Sequence, residues 1–175
     1  MSQTTLDIKE PGLNVLPPGV ERHVVNAGGL TGLQIFPDDE IEIINDEGNQ
    51  ICEIAVFNKN GNSDLSLLSL KEIKDSAEIK KILSSKDETS RVAAYQLKKR
   101  NLDIKNSKSA IVFDKDAPWG EKLKLKSKDK SYSIFAAPGP AMLVHEQNPP
   151  TDLTIFIKRA NIINDKEHSI IPDPV

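Results

Sequence analysis

Three histidines and one cysteine are the side chains here best suited to hold a metal or a proton. His23, His145 and His168 are far apart along the chain. A three-ligand zinc site made from them, or from two of them with Glu53, therefore needs the fold to gather them. His168 falls in a segment that reads as a linker, which leaves His23 and His145 as candidate metal ligands. His145 stands near Gly139 and the pair Pro149-Pro150, and it is the histidine best placed to line a pocket. His145-Glu146 is not a zinc-protease helix, because Asn148 and Pro149 follow and proline breaks a ligand-bearing helix. Glu53 is a carboxylate on a strand beside a turn, and a solvated glutamate is its default reading; no catalytic residue is assigned, with Glu53 and His145 the candidates if the chain has a site.

Cys52 is the single cysteine, so an internal disulfide and a multi-thiolate zinc cluster are both excluded. Its strand position reads as a small buried hydrophobe, without a paired histidine to activate it. Gly28-Gly29-Leu30-Thr31-Gly32 lacks a following Walker lysine and a following helix, and reads as a turn feeding a strand. Asp114-Lys115-Asp116 begins like a calcium loop, but Ala117-Pro118-Trp119 supplies no further oxygen side chains. Trp119, between Pro118 and Gly120, suits a packing anchor against a neighbour.

The composition sets the frame for these residues. In 175 residues with 38% hydrophobic and 28% charged side chains, mean hydropathy −0.39 and formal net charge −3, one ordinary globular domain is expected. Acids and bases are interspersed, which disfavours nucleic acid as a partner. No stretch approaches the roughly 20 apolar residues of a membrane span, and the first residues lack a signal-peptide pattern. With its one cysteine, the chain is expected in a reducing cytoplasm.

Periodicity predicts an α+β, mainly β fold: a barrel- or sandwich-like antiparallel sheet carrying a short helical insert. Residues 1–17 read as an extended arm, 18–160 as the β-rich domain with the insert at about 69–100, and 161–175 as a proline-punctuated, linker-like tail. Ile41 and Ile43 alternate with glutamates, and an Asn45-to-Asn49 turn leads into Gln50–Phe57, which predicts a hairpin. Ser69 and Glu72 have capping-box spacing, Asp75 suits a second helix start, and a helix is expected from about Glu88 to Arg100 with Asp87 before it. Lys122, Lys124 and Lys126 alternate with Leu123 and Leu125, as on an edge strand with a solvated face.

Asp38 to Asn58, centred on Glu47-Gly48-Asn49-Gln50, resembles the strand–turn–strand segment of the urea-carboxylase-associated family. Ala136-Ala137-Pro138-Gly139-Pro140 with Pro149-Pro150-Thr151-Asp152 resembles the N-terminal region of trimethylamine N-oxide demethylase-like multidomain proteins. Those proteins join such a domain to a glycine-cleavage T-protein (aminomethyltransferase) domain. The resemblance implies a parent enzyme in which cysteine-held zinc cleaves the amine oxide to dimethylamine and formaldehyde, with tetrahydrofolate accepting the formaldehyde. One cysteine cannot supply that zinc site, no T-protein segment is present, and Glu53 stands where the related segment usually has an aspartate. The resemblance thus implies a non-catalytic structural or assembly domain without cofactors of its own. Its partners would be the remaining domains of one polypeptide or subunits of a homo-oligomer. A stand-alone small-molecule binder or metal-assisted enzyme around Glu53, His145 and His23, and an accessory protein of urea or amine metabolism, are the alternatives.

Overall fold

Alternating apolar and polar residues make a strand with one dry and one wet face, and the segments Glu40–Asn45 and Glu121–Lys126 are written that way. The computed structural model describes residues 16–71, 74–85, 88–113, 116–138 and 150–161. In chain order the elements are β1 (Val20–Val25), β2 (Leu30–Ile35), β3 (Glu40–Asn45), β4 (Cys52–Phe57), a 3-10 turn (Leu65–Leu68), β5 (Lys74–Asp75), α1 (Ala77–Leu83), α2 (Glu88–Lys99), β6 (Lys108–Val112), β7 (Glu121–Lys126), β8 (Ser131–Ala136) and β9 (Leu153–Lys158).

They form two antiparallel sheets, β1-β9-β3-β7 and β2-β8-β4-β6-β5, stacked as a sandwich rather than closed into a barrel. The inter-sheet core gathers Ile41 and Ile43, Leu153, Ile155 and Ile157 from the first sheet with Leu33, Ile35, Cys52, Ile54, Val56 and Phe135 from the second. A second core lies on the far face of the five-stranded sheet. There Ala55, Phe57, Ile134 and Ala136 meet Ile79 of α1 and Ala93 and Leu97 of α2. The molecule is therefore layered as sheet, sheet and helix pair.

Two expectations are corrected by this topology. β3 and β4 do not pair with each other: β3 pairs with β7 and β9, while β4 pairs with β6 and β8. The turn after Asn45 is an arch that carries the chain from one sheet to the other. The physical reason is that β4 is buried along its whole length, so it needs a covered face on both sides. A two-stranded hairpin could not provide that. Ser69, expected to open a helix, instead ends the 3-10 turn in the left-handed conformation, with φ 59°. The insert's first α-helix starts at Ala77, with Ser76 at its cap and Asp75 in β5. Glu72, Asp87 and Asp114-Lys115 lie outside the described residues.

The edge-strand reading of the lysine run agrees with the structure. β7 lies at the rim of the four-stranded sheet, with Lys122, Lys124 and Lys126 exposed. The glycine segment forms a turn at Gly28 (φ 76°) that feeds β2.

Candidate functional site

Glu53 alternates with Cys52 and Ile54 on β4 and so faces the helical layer, not the inter-sheet core. It is fully buried, which corrects the expectation of a solvated carboxylate. Oε1 accepts a hydrogen bond from the Ile79 backbone N–H at 2.8 Å, and Oε2 accepts one from the Ser109 hydroxyl at 2.5 Å. Ile79 is the third residue of α1, where backbone donors have no intrahelical partner. Ser76, at the cap, makes no side-chain cap bond to the helix. Glu53 thus caps a helix 26 residues away in sequence and fixes it to the sheet.

Cys52 points the other way, into the dry inter-sheet core, and is fully buried. Burial, aided by the adjacent Glu53 charge, pushes its thiol well above the ordinary range. That environment suits packing and does not suit thiolate ligation of zinc.

His23 sits on β1, half-buried, with Nε2 3.0 Å from Glu21 Oε1. Glu21 is also held by Arg159, whose Nε and Nη2 donate to its two oxygens, each at 2.9 Å. Arg159 Nη1 donates to Asp39 Oδ2 at 2.7 Å and to the Gln34 carbonyl at 2.9 Å. Asp39 in turn accepts from the Phe36 and Ala160 backbone N–H groups. Burial alone would raise the Glu21 carboxyl, but bonds from His23 and Arg159 outweigh it and hold the pKa at about 2. The same two carboxylates hold the Arg159 guanidinium above its usual value against its own burial. This cluster ties the end of β9 to β1 and to the β2–β3 turn. Neither Arg159 nor Asp39 was singled out in the sequence; the one available signal was an arginine placed directly after an alternating apolar strand.

The third polar centre is the arch itself. Asn45 and Gln50 are fully buried. Asn45 Nδ2 donates to the Gln50 carbonyl at 2.6 Å, and Gln50 Oε1 accepts from the Thr151 N–H at 2.8 Å. Asp46 accepts from the Thr154 hydroxyl at 2.6 Å. On the other flank, Asn49 N–H donates to the Ala117 carbonyl and Gly120 N–H to the Asn45 carbonyl. The segment that carried the family resemblance is therefore a joint holding three loops together, and Trp119, 81% exposed, stands on it.

The candidate residues are not brought into one site. Glu53 faces the helices, whereas His23 lies on the four-stranded sheet in the row of Ile155, toward the opposite side. His145 lies outside the described residues. Among the described residues, no three His, Cys, Asp or Glu side chains come together as a metal-binding group. Nor is any helix among them long and apolar enough to cross a membrane.

Over 168 residues, 96% of its length, the chain is 31% identical to a trimethylamine-oxide aldolase of Ruegeria pomeroyi. It is a homologue of one part of that protein. The matched part is 21% of the aldolase, so the chain spans about a fifth of its relative. No family model matches the chain.

Proposed function

We propose that this chain is the non-catalytic, assembly-bearing N-terminal domain of a larger enzyme acting on trimethylamine N-oxide. The observation that carries the reading is the match itself: nearly all of this chain aligns with a fifth of a trimethylamine-oxide aldolase. The side chains agree with a structural role. Glu53 spends its carboxylate on a helix end and a serine, Cys52 is sealed in the core, and His23 belongs to an arginine-centred tie. Zinc and tetrahydrofolate would belong to the other domains of the parent, because the donor set described for this chain does not fit zinc. Cleavage to dimethylamine and formaldehyde would take place there as well.

The test has two arms. The 175-residue chain, dialysed and assayed with trimethylamine N-oxide, is expected to release neither dimethylamine nor formaldehyde. A chimaera in which this chain replaces the matched fifth of the R. pomeroyi aldolase is expected to keep the cleavage activity. Turnover by the isolated chain, dependent on a metal retained through dialysis, would overturn the reading in favour of a metal-assisted enzyme.

A further inference from the structure

Cross-strand partners share a face, so the ladders of the four-stranded sheet fix what its outer side presents. One row runs Val20, Lys158, Glu40, Lys126; the next runs Arg22, Phe156, Glu42, Lys124. The third runs Val24, Thr154, Ile44, Lys122. Val20, Val24, Ile44 and Phe156 are only partly buried. An open trough of about 630 Å³ runs over Val20 and Phe156, flanked by Glu40, Glu42, Lys124, Lys126 and Lys158; Ile41 and Leu125 border it, though their side chains pack into the inter-sheet core.

In these three rows basic side chains outnumber acidic ones five to two, and Asp46, bonded to the Thr154 hydroxyl at the end of the face, brings the acids to three, in a chain whose net charge is −3. Glu40 lies between Lys126 and Lys158, so its charge is already balanced within the sheet. Arg22 and Lys122 face Phe156 and Ile44 rather than acids. The corresponding outer face of the other sheet is covered by α1 and α2.

We propose that this face docks an acidic surface belonging to the remaining domains of the longer polypeptide, which rests on the functional reading above. Interfaces between domains of one chain are more polar than cores, and a partly exposed aromatic within mixed charge fits that pattern. A second copy fits less well. Stacking the same face on itself sets net positive charge against net positive charge, and seating it on another copy's acidic side makes a head-to-tail ring or filament rather than a two-fold dimer, the commonest oligomer. Addition of a strand at the β7 edge is opposed by its lysines.

The experiment is zero-length carbodiimide cross-linking of the chimaera, with peptide mapping of the lysine–carboxylate links. Links from Lys122, Lys124, Lys126 or Lys158 to carboxylates of the aldolase portion are the expected result. The Lys122→Glu, Lys124→Glu, Lys126→Glu triple variant keeps the Lys158 amine and is expected to lower the yield of the Lys158 links about tenfold, as raised salt should. Links confined to carboxylates of this chain, links between differently isotope-labelled copies, or no links from these lysines would each overturn the proposal. Cleavage activity is read separately. A chimaera that cleaves substrate but lacks the links sinks only the docking face, and one that forms the links but is inactive sinks only the functional reading. If the chimaera fails to fold, the 175-residue chain is cross-linked with the remaining four-fifths of the aldolase supplied as a separate polypeptide, and absence of links there overturns the proposal equally.

Discussion

A buried carboxyl group that accepts two hydrogen bonds cannot be removed without taking an acceptor from each donor, and this governs what Glu53 does. Replacing it with alanine removes the acceptor that Glu53 gives the Ile79 N–H and the Ser109 hydroxyl. The expected cost is about 2–4 kcal/mol, with about half of that for Glu53→Gln, whose amide oxygen still accepts one bond. Denaturant melts of both variants check the order, and a loss below about 0.5 kcal/mol for alanine would contradict the helix-tethering role. Glu21 offers a test by pH. Its folded pKa is lowered from 4.5 to about 2, so its contribution is fully present above pH 4.5 and is lost as pH falls through about 2. The side chain is 21% exposed, and solvent screening lowers the roughly 3 kcal/mol of such a shift to a contribution on the order of 1–2 kcal/mol. Wild-type protein should therefore lose its margin over Glu21→Gln between pH 4.5 and 2, and equal pH slopes for the two would refute the assignment. Of these residues, only His23 and Glu53 were legible in the sequence as chemically interesting. Their roles were not, because a capping bond over 26 residues and an ion cluster spanning β1, a turn and the end of β9 leave no local pattern.

At the scale of elements, alternation made β3 and β7 readable nearly to the residue, since in each a row of isoleucine or leucine alternates with charged side chains. β4 defeated the same rule. Both of its faces are covered, so Glu53 could not be told from a solvated residue by period alone. Periodicity also does not say which strands pair. Asn45 to Asn49 has the composition of a hairpin turn, yet buried Asn45 and Gln50 make it an arch. Gly48 exposes the difference between the two. Its φ is +81°, and a Cβ there would sit 2.9 Å from both the Ala117 carbonyl and the Trp119 nitrogen. A free hairpin tip would tolerate alanine at a cost of about 1 kcal/mol from the dihedral alone. In the arch, alanine must also push away backbone, so Gly48→Ala is expected to lower stability by about 2–3 kcal/mol. Faster hydrogen exchange at the Asn49 and Gly120 amides should accompany it, since both are bonded across this contact. Unchanged exchange at those two amides would count against the joint.

Over the whole molecule, β4 is the wall between two cores. Cys52, Ile54 and Val56 serve the inter-sheet core, while Ala55 and Phe57 serve the helix-covered one. A strand cannot lose its partners on one face and keep its place on the other, so the three layers should melt together. Ile155 and Leu97 lie in the separate cores and are essentially unexposed. Ile155→Ala and Leu97→Ala should each cost about 2–4 kcal/mol. Each should shift one common transition, with far-UV circular dichroism and Cys52 thiol reactivity moving at the same denaturant concentration. The thiol is a suitable second probe because it is sealed within β4, whereas Trp119 is already exposed and its emission should change little on unfolding. If Leu97→Ala instead released the helix pair in an earlier step while Cys52 stayed protected, the helices would be an appended layer rather than part of the fold. Glu53, which pins α1 from inside β4, is the physical reason to expect one step.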